Sequence, residues 1–341
     1  MSVFIMSINY NFVFAEEQEI LIASWNMLLY SENRAFDEEN RQKVIEILLG
    51  RNYDYEDEPN RDYDIIFVQE ILSNGTSMDV LCKDLRVYDY ECKTTPEIRG
   101  EGTRPETYGV IHKNTLNVII EDTSNENTVP LIFQGQDYTK NEMVRPPMKA
   151  TITLENGFQI TVFNNHIKPS NSTHKNMTEN ELRVLQRAIN YEPSNDEENI
   201  MVLGDLNAGG TYLKKGIDSY HDLFKPDLGW HSIFSNSDHT TFAQSTRSYD
   251  KIIVSDDLYS YYTGEYGIIG YLPDGDSFGY PTPGYRAGDY RMSDHKLIYA
   301  AFQVPDTELE FTELDSSNYA YGSLTAVLGA IFYEMYISRR Q

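Results

Sequence analysis

The sequence predicts an α/β chain in which β-sheets pack on one another and a few amphipathic helices lie outside. Three observations lead there. Short runs of β-branched and aromatic residues recur along the chain and outnumber the helical stretches. Only two stretches show strong helical periodicity. Between about residues 20 and 305 no repeat or low-complexity linker divides the chain, so that span reads as one domain.

Taken in order, "ILIASWNML" and "YDIIFVQEI" are the first two strands. Between them "FDEENRQKVIEILLG" reads as a helix, with Val44, Ile45, Leu48 and Leu49 on one face and Gly50 closing its C-terminus. The strands "YGVIHK", "NVIIED", "MKATITL" and "FQITVFNNH" follow. "TENELRVLQRAI" is the second helix: Thr178 and Glu181 have capping-box spacing, and Leu182, Leu185 and Ile189 share a face. "IMVLGDL", "SYDKIIVS" and "HKLIYAAF" complete the strands.

Composition narrows the class. A hydrophobic content of 40%, with 26 Tyr and 15 Phe, supplies a sizeable core and excludes global disorder. The formal charge of −25 argues against simple electrostatic capture of a polyanion, which is normally held by Lys and Arg. It suits a chain that recruits divalent cations to meet an anionic substrate. The acid-rich "RNYDYEDEPNRDYD" reads as a solvated loop. Cys82 and Cys92 make no disulfide framework and lack metal-ligand spacing, so they read as two buried thiols.

The ends carry their own signals. Residues 1–15, "MSVFIMSINYNFVFA", read as a signal peptide, with Val13 and Ala15 fitting a small-residue cleavage rule. Residues 16–306 form the main domain, and 307–341 a tail containing "YAYGSLTAVLGAIFYEMYI" before "SRRQ". That segment is long enough to span a bilayer, although Glu334 is costly in lipid, and a helix docked on the domain is the competing reading. Together the ends suggest a secreted or extracellular-facing, membrane-anchored protein, with an intracellular one as the alternative. The sequons at Asn74, Asn171 and Asn176 would be usable outside.

Polar residues gather where the strands end. Asn26 closes the first strand, Gln69 and Glu70 the second, and Asn164, Asn165 and His166 end "QITVF". Asp205 and Asn207 end "IMVLG", Asp250 heads "KIIV", and Ser293, Asp294 and His295 precede "KLIYAAF". One such ending is a turn. Six endings that supply carboxylates, carboxamides and two histidines imply one shared pocket. His112, His174, His221, His231 and His239 read as structural.

"SWN", "VQE", "NNH", "GDLN", "SYDKI" and "SDH", in this order and over roughly residues 20 to 303, resemble the endonuclease/exonuclease/phosphatase superfamily. Within it the deoxyribonuclease I family is most similar, through "HIKPS", "GDLNAGGTYL", "RPP" at 145–147 and "TTFAQSTRSYDKIIV". Ser248-Tyr249 stands where inositol phosphatases of the superfamily carry Trp-Cys. The resemblance implies a four-layer sandwich of two packed mixed β-sheets flanked by helices. It also implies a monomeric endonuclease that cuts DNA to 5′-phosphorylated products.

By resemblance the metal ligands are Asn26, Glu70, Asp205, Asn207 and Asp294, an oxygen set suited to Mg²⁺ or Mn²⁺, with Ca²⁺ in a structural role. Asp205 and Asn207 also count among the catalytic groups. His295, oriented by Asp250, is the implied general base, and His166, paired with Glu106, the general acid or phosphate donor. Arg145 and Asn207 contact the phosphate, and Gly204 with the Gly209-Gly210 pair lets the backbone approach it. The loops "MLLYS" and "ILSNG" lack the family's groove-inserting arginine, for which Arg104 is a partial substitute. Gly209 and Gly210 stand where the family has a disulfide cysteine, which leaves that loop to move or to be held by calcium. Two rivals stand beside the endonuclease: a phospholipid or phosphoinositide phosphoesterase of the same fold, and a catalytically inactive binding protein. Intact Glu70, His166, Asp205, Asp250 and His295 oppose the latter.

Overall fold

Alternation along the strands decides which face each one buries. A computed structural model describes residues 17–50, 62–72, 75–97, 105–120, 132–133, 136–137, 143–171, 176–190, 199–209, 225–241, 247–269 and 293–305. The signal-like start, the C-terminal tail, most of the acidic loop, Asn74, Arg104, His174, Gly210 and His221 lie outside the described residues.

The chain runs β1 (Glu17–Tyr30), α1 (Glu32–Phe36), α2 (Glu38–Leu48), β2 (Ile65–Ile71), α3 (Thr76–Leu85), β3 (Tyr90–Thr94) and β4 (Thr107–Lys113). It continues through β5 (Asn117–Ile120), the two-residue strands β6 (Ile132–Phe133) and β7 (Gln136–Asp137), β8 (Met148–Thr153), β9 (Gln159–His166) and α4 (Met177–Asn190). Last come β10 (Ile200–Asp205), β11 (Trp230–Ser232), β12 (Asp250–Ser255), α5 (Asp256–Tyr259), β13 (Tyr262–Ile269) and β14 (Leu297–Pro305).

Two six-stranded sheets result, ordered β13-β14-β1-β2-β4-β3 and β11-β12-β10-β9-β8-β5. Each is mixed: β1–β2 and β9–β10 are parallel, and the remaining pairs are antiparallel. Ile20 and Ile22 of β1 face the inter-sheet core with Phe67, Val162, Leu203 and Phe302. The alternate residues Leu21, Ala23, Trp25 and Met27 face outward onto a second cluster that includes Val44 and Leu48 of α2 and Leu81 of α3. On the far side Leu182, Leu185 and Ile189 of α4 cover Phe163, Val202 and Ile253. The layers are therefore helices, sheet, sheet and helix, the sandwich that the sequence implies.

The structure corrects two local readings, of the cysteines and of the capping box, and adds detail to others. The first predicted helix is α2; the short α1 precedes it unpredicted, and Asp37 ends α1 and caps α2, its carboxylate accepting the Asn40 N–H at 3.0 Å. Gly50 does close α2, with φ +62°. Cys82 and Cys92 are not free thiols but a disulfide: β3 lies beside α3 and brings their Cα atoms to 5.9 Å. Thr178 and Glu181 make no capping box, since both side chains are drawn to loops outside the helix. Gly204 (φ +118°) is required by packing, because a Cβ there would collide with the backbone carbonyl of Asn165 on β9. Gly209 similarly lies against the Tyr249 ring.

Candidate active site

Strand register explains why the polar ends meet. The parallel pairs set Asn26 opposite Gln69 in one sheet and His166 opposite Asp205 in the other. Antiparallel pairing then puts Asp250 of β12 opposite Asp205. Gln69 Nε2 donates to Asn164 Oδ1 at 2.6 Å and ties the two sheets together at this end. Gln69 and Asn164 are thus an inter-sheet clasp, and Asn165 bonds the Phe163 carbonyl of its own strand.

Glu70 and Asp205 share one amide. Asn26 Nδ2 donates to Glu70 Oε1 at 2.9 Å and to Asp205 Oδ2 at 3.1 Å. The backbone is held out of its ordinary wells here: Leu28, Leu29, Glu70 and Asn207 have φ of +46°, +53°, +60° and +48°. Strain of this kind persists only where surrounding bonds fix it, and it gathers at functional sites. The fixing bonds are the Leu28 N–H to Asn26 Oδ1 and the Leu29 N–H to Glu70 Oε2. Arg34 adds bonds from Nη1 to the Met27 and Leu28 carbonyls. Asn207 is held by its N–H to Asp205 Oδ1 and its Nδ2 to the Ile167 carbonyl.

Two histidine–carboxylate pairs flank Asp205. His166 Nδ1 lies 2.7 Å from Glu106 Oε2, and its Nε2 lies 3.5 Å from Glu70 Oε1 and 3.6 Å from Asp205 Oδ2. His295 Nδ1 lies 2.9 Å from Asp250 Oδ2, with Nε2 3.5 Å from the same Asp205 oxygen. Burial would lower both histidines. Glu106 and Glu70 hold His166 above its ordinary value against the Arg145 charge, and Asp250 and Asp205 hold His295 well above it. Burial pushes Asp250 and Glu70 up. Glu106 goes the other way: burial opposes its charge, yet His166 and Arg145 bring it down to about 2.

Arg145 stands behind the first pair. Its Nη1 donates to Glu106 Oε1 at 2.5 Å and its Nε to the His166 carbonyl at 3.0 Å, and only 6% of the residue is exposed. Asp294 is more exposed and approaches His295 Nε2 at 3.9 Å. Of the structural histidines, His112 is buried with Nδ1 against its neighbour's carbonyl, and His231 bonds Asp256 and stacks on Tyr259. His239 is exposed.

Several further residues support these pairs, and of them Thr240 and Tyr108 carry no local sequence signal. Thr240 donates its hydroxyl to Asp250 Oδ2 at 2.7 Å, and Tyr108 accepts the His166 N–H through its own. Ser293 donates to the Asn26 carbonyl and accepts the His295 N–H, and Trp25 donates to the His295 carbonyl. Thr240 acts across a short loop, and Tyr108, Ser293 and Trp25 act between segments far apart in sequence.

The donor set fits a hard divalent cation. Glu70, His166 and Asp205 each offer a ligand atom within 4.8 Å of the others, as do Asp205, Asp250 and His295. Buried carboxylates that face one another are costly, and a bound cation would offset that cost.

None of the curated proteins matches this chain. Among solved structures it is similar to humanized TDP2 of D. rerio at 16% identity and TM-score 0.52, covering 83% of this chain and 98% of that one. Truncated TDP2 of Caenorhabditis elegans matches at 15% identity and TM-score 0.51, over 84% and 98%. An endonuclease/exonuclease/phosphatase family protein of Bacteroides thetaiotaomicron matches at 14% and 0.50, over 86% and 100%. At these identities the likeness shows the fold. Residues 23–295, which hold both histidine pairs and every acid between them, match the Endonuclease/Exonuclease/phosphatase family, and the chain belongs to it.

Proposed function

We propose that the chain is a divalent-cation-dependent phosphodiesterase, acting as an endonuclease that cuts DNA to 5′-phosphorylated products. One observation supports this above the rest: His166 Nε2 and His295 Nε2 both face the same Asp205 oxygen, at 3.6 and 3.5 Å. Phosphodiester hydrolysis needs a proton acceptor for water, a donor for the leaving oxygen and charge stabilisation on the phosphate. Two imidazoles converging from opposite sides on one carboxylate can divide the proton work.

His295, fixed through Nδ1 by Asp250, presents Nε2 to the attacking water as general base. His166 presents Nε2 to a phosphate oxygen or the leaving group as donor. Its own carboxylate is already neutralised by Arg145, so its charge pair persists through the reaction. Arg145, whose Nε and Nη1 are engaged, acts on the phosphate chiefly by holding Glu106 and His166. Asn26 aligns Glu70 and Asp205, whose carboxylates would hold Mg²⁺ or Mn²⁺ and leave His166 Nε2 free to carry its proton. Such a cation supplies Lewis-acid polarisation of the phosphate and offsets the acidic site's repulsion of it. Asn207 is placed by Asp205 to orient the phosphate.

A phospholipid or phosphoinositide ester is the second reading. Leu28 and Leu29, both half-buried beside Glu70, put apolar side chains where the resemblance has a groove-inserting arginine. The Cys82–Cys92 bridge supports a secretory route for either enzyme, since disulfides persist in oxidising compartments.

The test incubates purified protein with supercoiled plasmid, sphingomyelin vesicles and a phosphoinositide, each with Mg²⁺ and with EDTA. The endonuclease reading expects nicking with Mg²⁺ alone and nicks that DNA ligase reseals without a kinase. Lipid turnover with intact plasmid would select the second reading. Silence on all three would make the chain a binding protein.

A further inference from the structure

Glu181 is a fully buried acid that the proposed chemistry does not use. It sits in the first turns of α4, on the outer side of the second sheet, and its exposure is 0%. Its Oε1 accepts the Val144 N–H and its Oε2 the Lys168 N–H, both at 2.8 Å. Burial pushes its carboxyl up, while those two donors and Arg145 favour the charged form. A buried carboxylate is costly, and capping a helix would not need it at this depth.

The two peptides it holds border the first histidine pair from both sides. Val144 immediately precedes Arg145, whose side chain bonds both Glu106 and the His166 carbonyl. Lys168 lies two residues past His166, and between them Ile167 bonds Asp205 and Asn207 through its N–H and carbonyl. Thr178, one turn earlier on the same helix face, donates to the Lys168 carbonyl and accepts the Ser170 N–H. The first turn of α4 therefore grips the His166 and Arg145 segments together.

We propose that Glu181 is a positioning residue that sets Arg145, Glu106 and His166 in register with Asp205. The proposal rests on the function assigned above for its kinetic consequence and on geometry alone for its structural one. Its test has two readouts. The first, which needs no substrate, is the ring ¹⁵N spectrum of His166 in full-length protein. The second is the split of kcat and KM on plasmid with Mg²⁺.

Glu181→Gln keeps the shape but offers one acceptor where two N–H donors point. The expected result is a shifted His166 ring signal and a kcat lowered by about tenfold or more, the scale of one charge-assisted hydrogen bond, with KM within about twofold. Ile189→Val, a packing change on the same helix, should lower the melting temperature and leave both readouts unchanged. Glu181→Asp, which retains both oxygens, substitutes for the glutamine variant if that one does not fold, with a smaller change in the same direction. An unchanged His166 signal in a folded Glu181 variant would overturn the proposal. A shifted signal in a chain that cleaves no substrate would sustain it while rejecting the assigned function.

Discussion

The two histidine–carboxylate pairs match in outline and differ in what stands behind the carboxylate. Behind Glu106 is the Arg145 guanidinium at 2.5 Å, and Glu106 is brought down to about 2. Behind Asp250 are the Thr240 hydroxyl at 2.7 Å and the Asp205 carboxylate, and burial pushes Asp250 up. One pair is locked as charges by a fixed cation. The other has a hydroxyl where the first has a guanidinium, and the His295 charge, with hydrogen bonds from His295 and Thr240, offsets its burial. A locked pair suits a group that holds a phosphate or hands on a proton from a constant position. The base role proposed for His295 rests instead on the resemblance and on its Nε2 facing the Asp205 oxygen.

Removing the cation tests what the pairs share, and it should have the largest effect. EDTA should abolish turnover, and Mg²⁺ or Mn²⁺ should restore it and raise the melting temperature of resting protein. Full activity in chelator would break the account of Glu70 and Asp205. Next in size, His166→Ala and His295→Ala should each lower nicking by at least about a hundredfold, the scale of a lost proton-transfer group. Near-normal turnover in either folded variant would make that histidine structural.

The carboxylates should then separate the pairs by stability. Glu106→Gln strands a buried guanidinium and should cost about 3–5 kcal/mol in urea unfolding. Asp250→Asn strands no fixed cation and should cost about 1–3 kcal/mol. Equal losses would mean that Arg145 does not distinguish the two. The same contrast has a pH signature. A glutamate of unfolded value near 4.3 that is held at about 2 when folded stabilises the fold above the unfolded value. That contribution disappears as pH falls from about 4.3 towards 2. The native chain should therefore lose stability across that window more steeply than Glu106→Gln. The smallest effect on turnover should come from Thr240→Val, which removes a hydroxyl that donates to Asp250 and accepts the Tyr249 and Asp250 N–H groups and should cost about 1–3 kcal/mol.

Legibility in the sequence followed the range of the interactions. The strand ends that hold Asn26, Glu70, His166, Asp205, Asp250 and His295 were readable because apolar runs stop abruptly at polar residues, a local signal. β13 was missed because "YTGEYGII" alternates weakly and lies half-exposed at an edge, and β3 because it is short; α3 starts on Gly75 with no side-chain cap to mark it. The Cys82–Cys92 bridge depends on β3 folding back beside α3, which two cysteines alone do not encode. Glu181 has the spacing of a cap, but two peptides distant in sequence claim its oxygens. Thr240 and Tyr108 likewise act through tertiary contacts. The convergence of the polar strand ends was therefore legible and its scaffolding was not.

Both pairs meet at one atom, so Asp205→Asn tests the central claim most directly. It keeps the side-chain shape and removes the charge that both imidazoles and Asn26 face. Plasmid nicking with Mg²⁺, measured beside the melting temperature, should fall below that of either single histidine variant while the fold persists. A folded Asp205→Asn protein that nicks plasmid within about tenfold of the native rate would contradict the account.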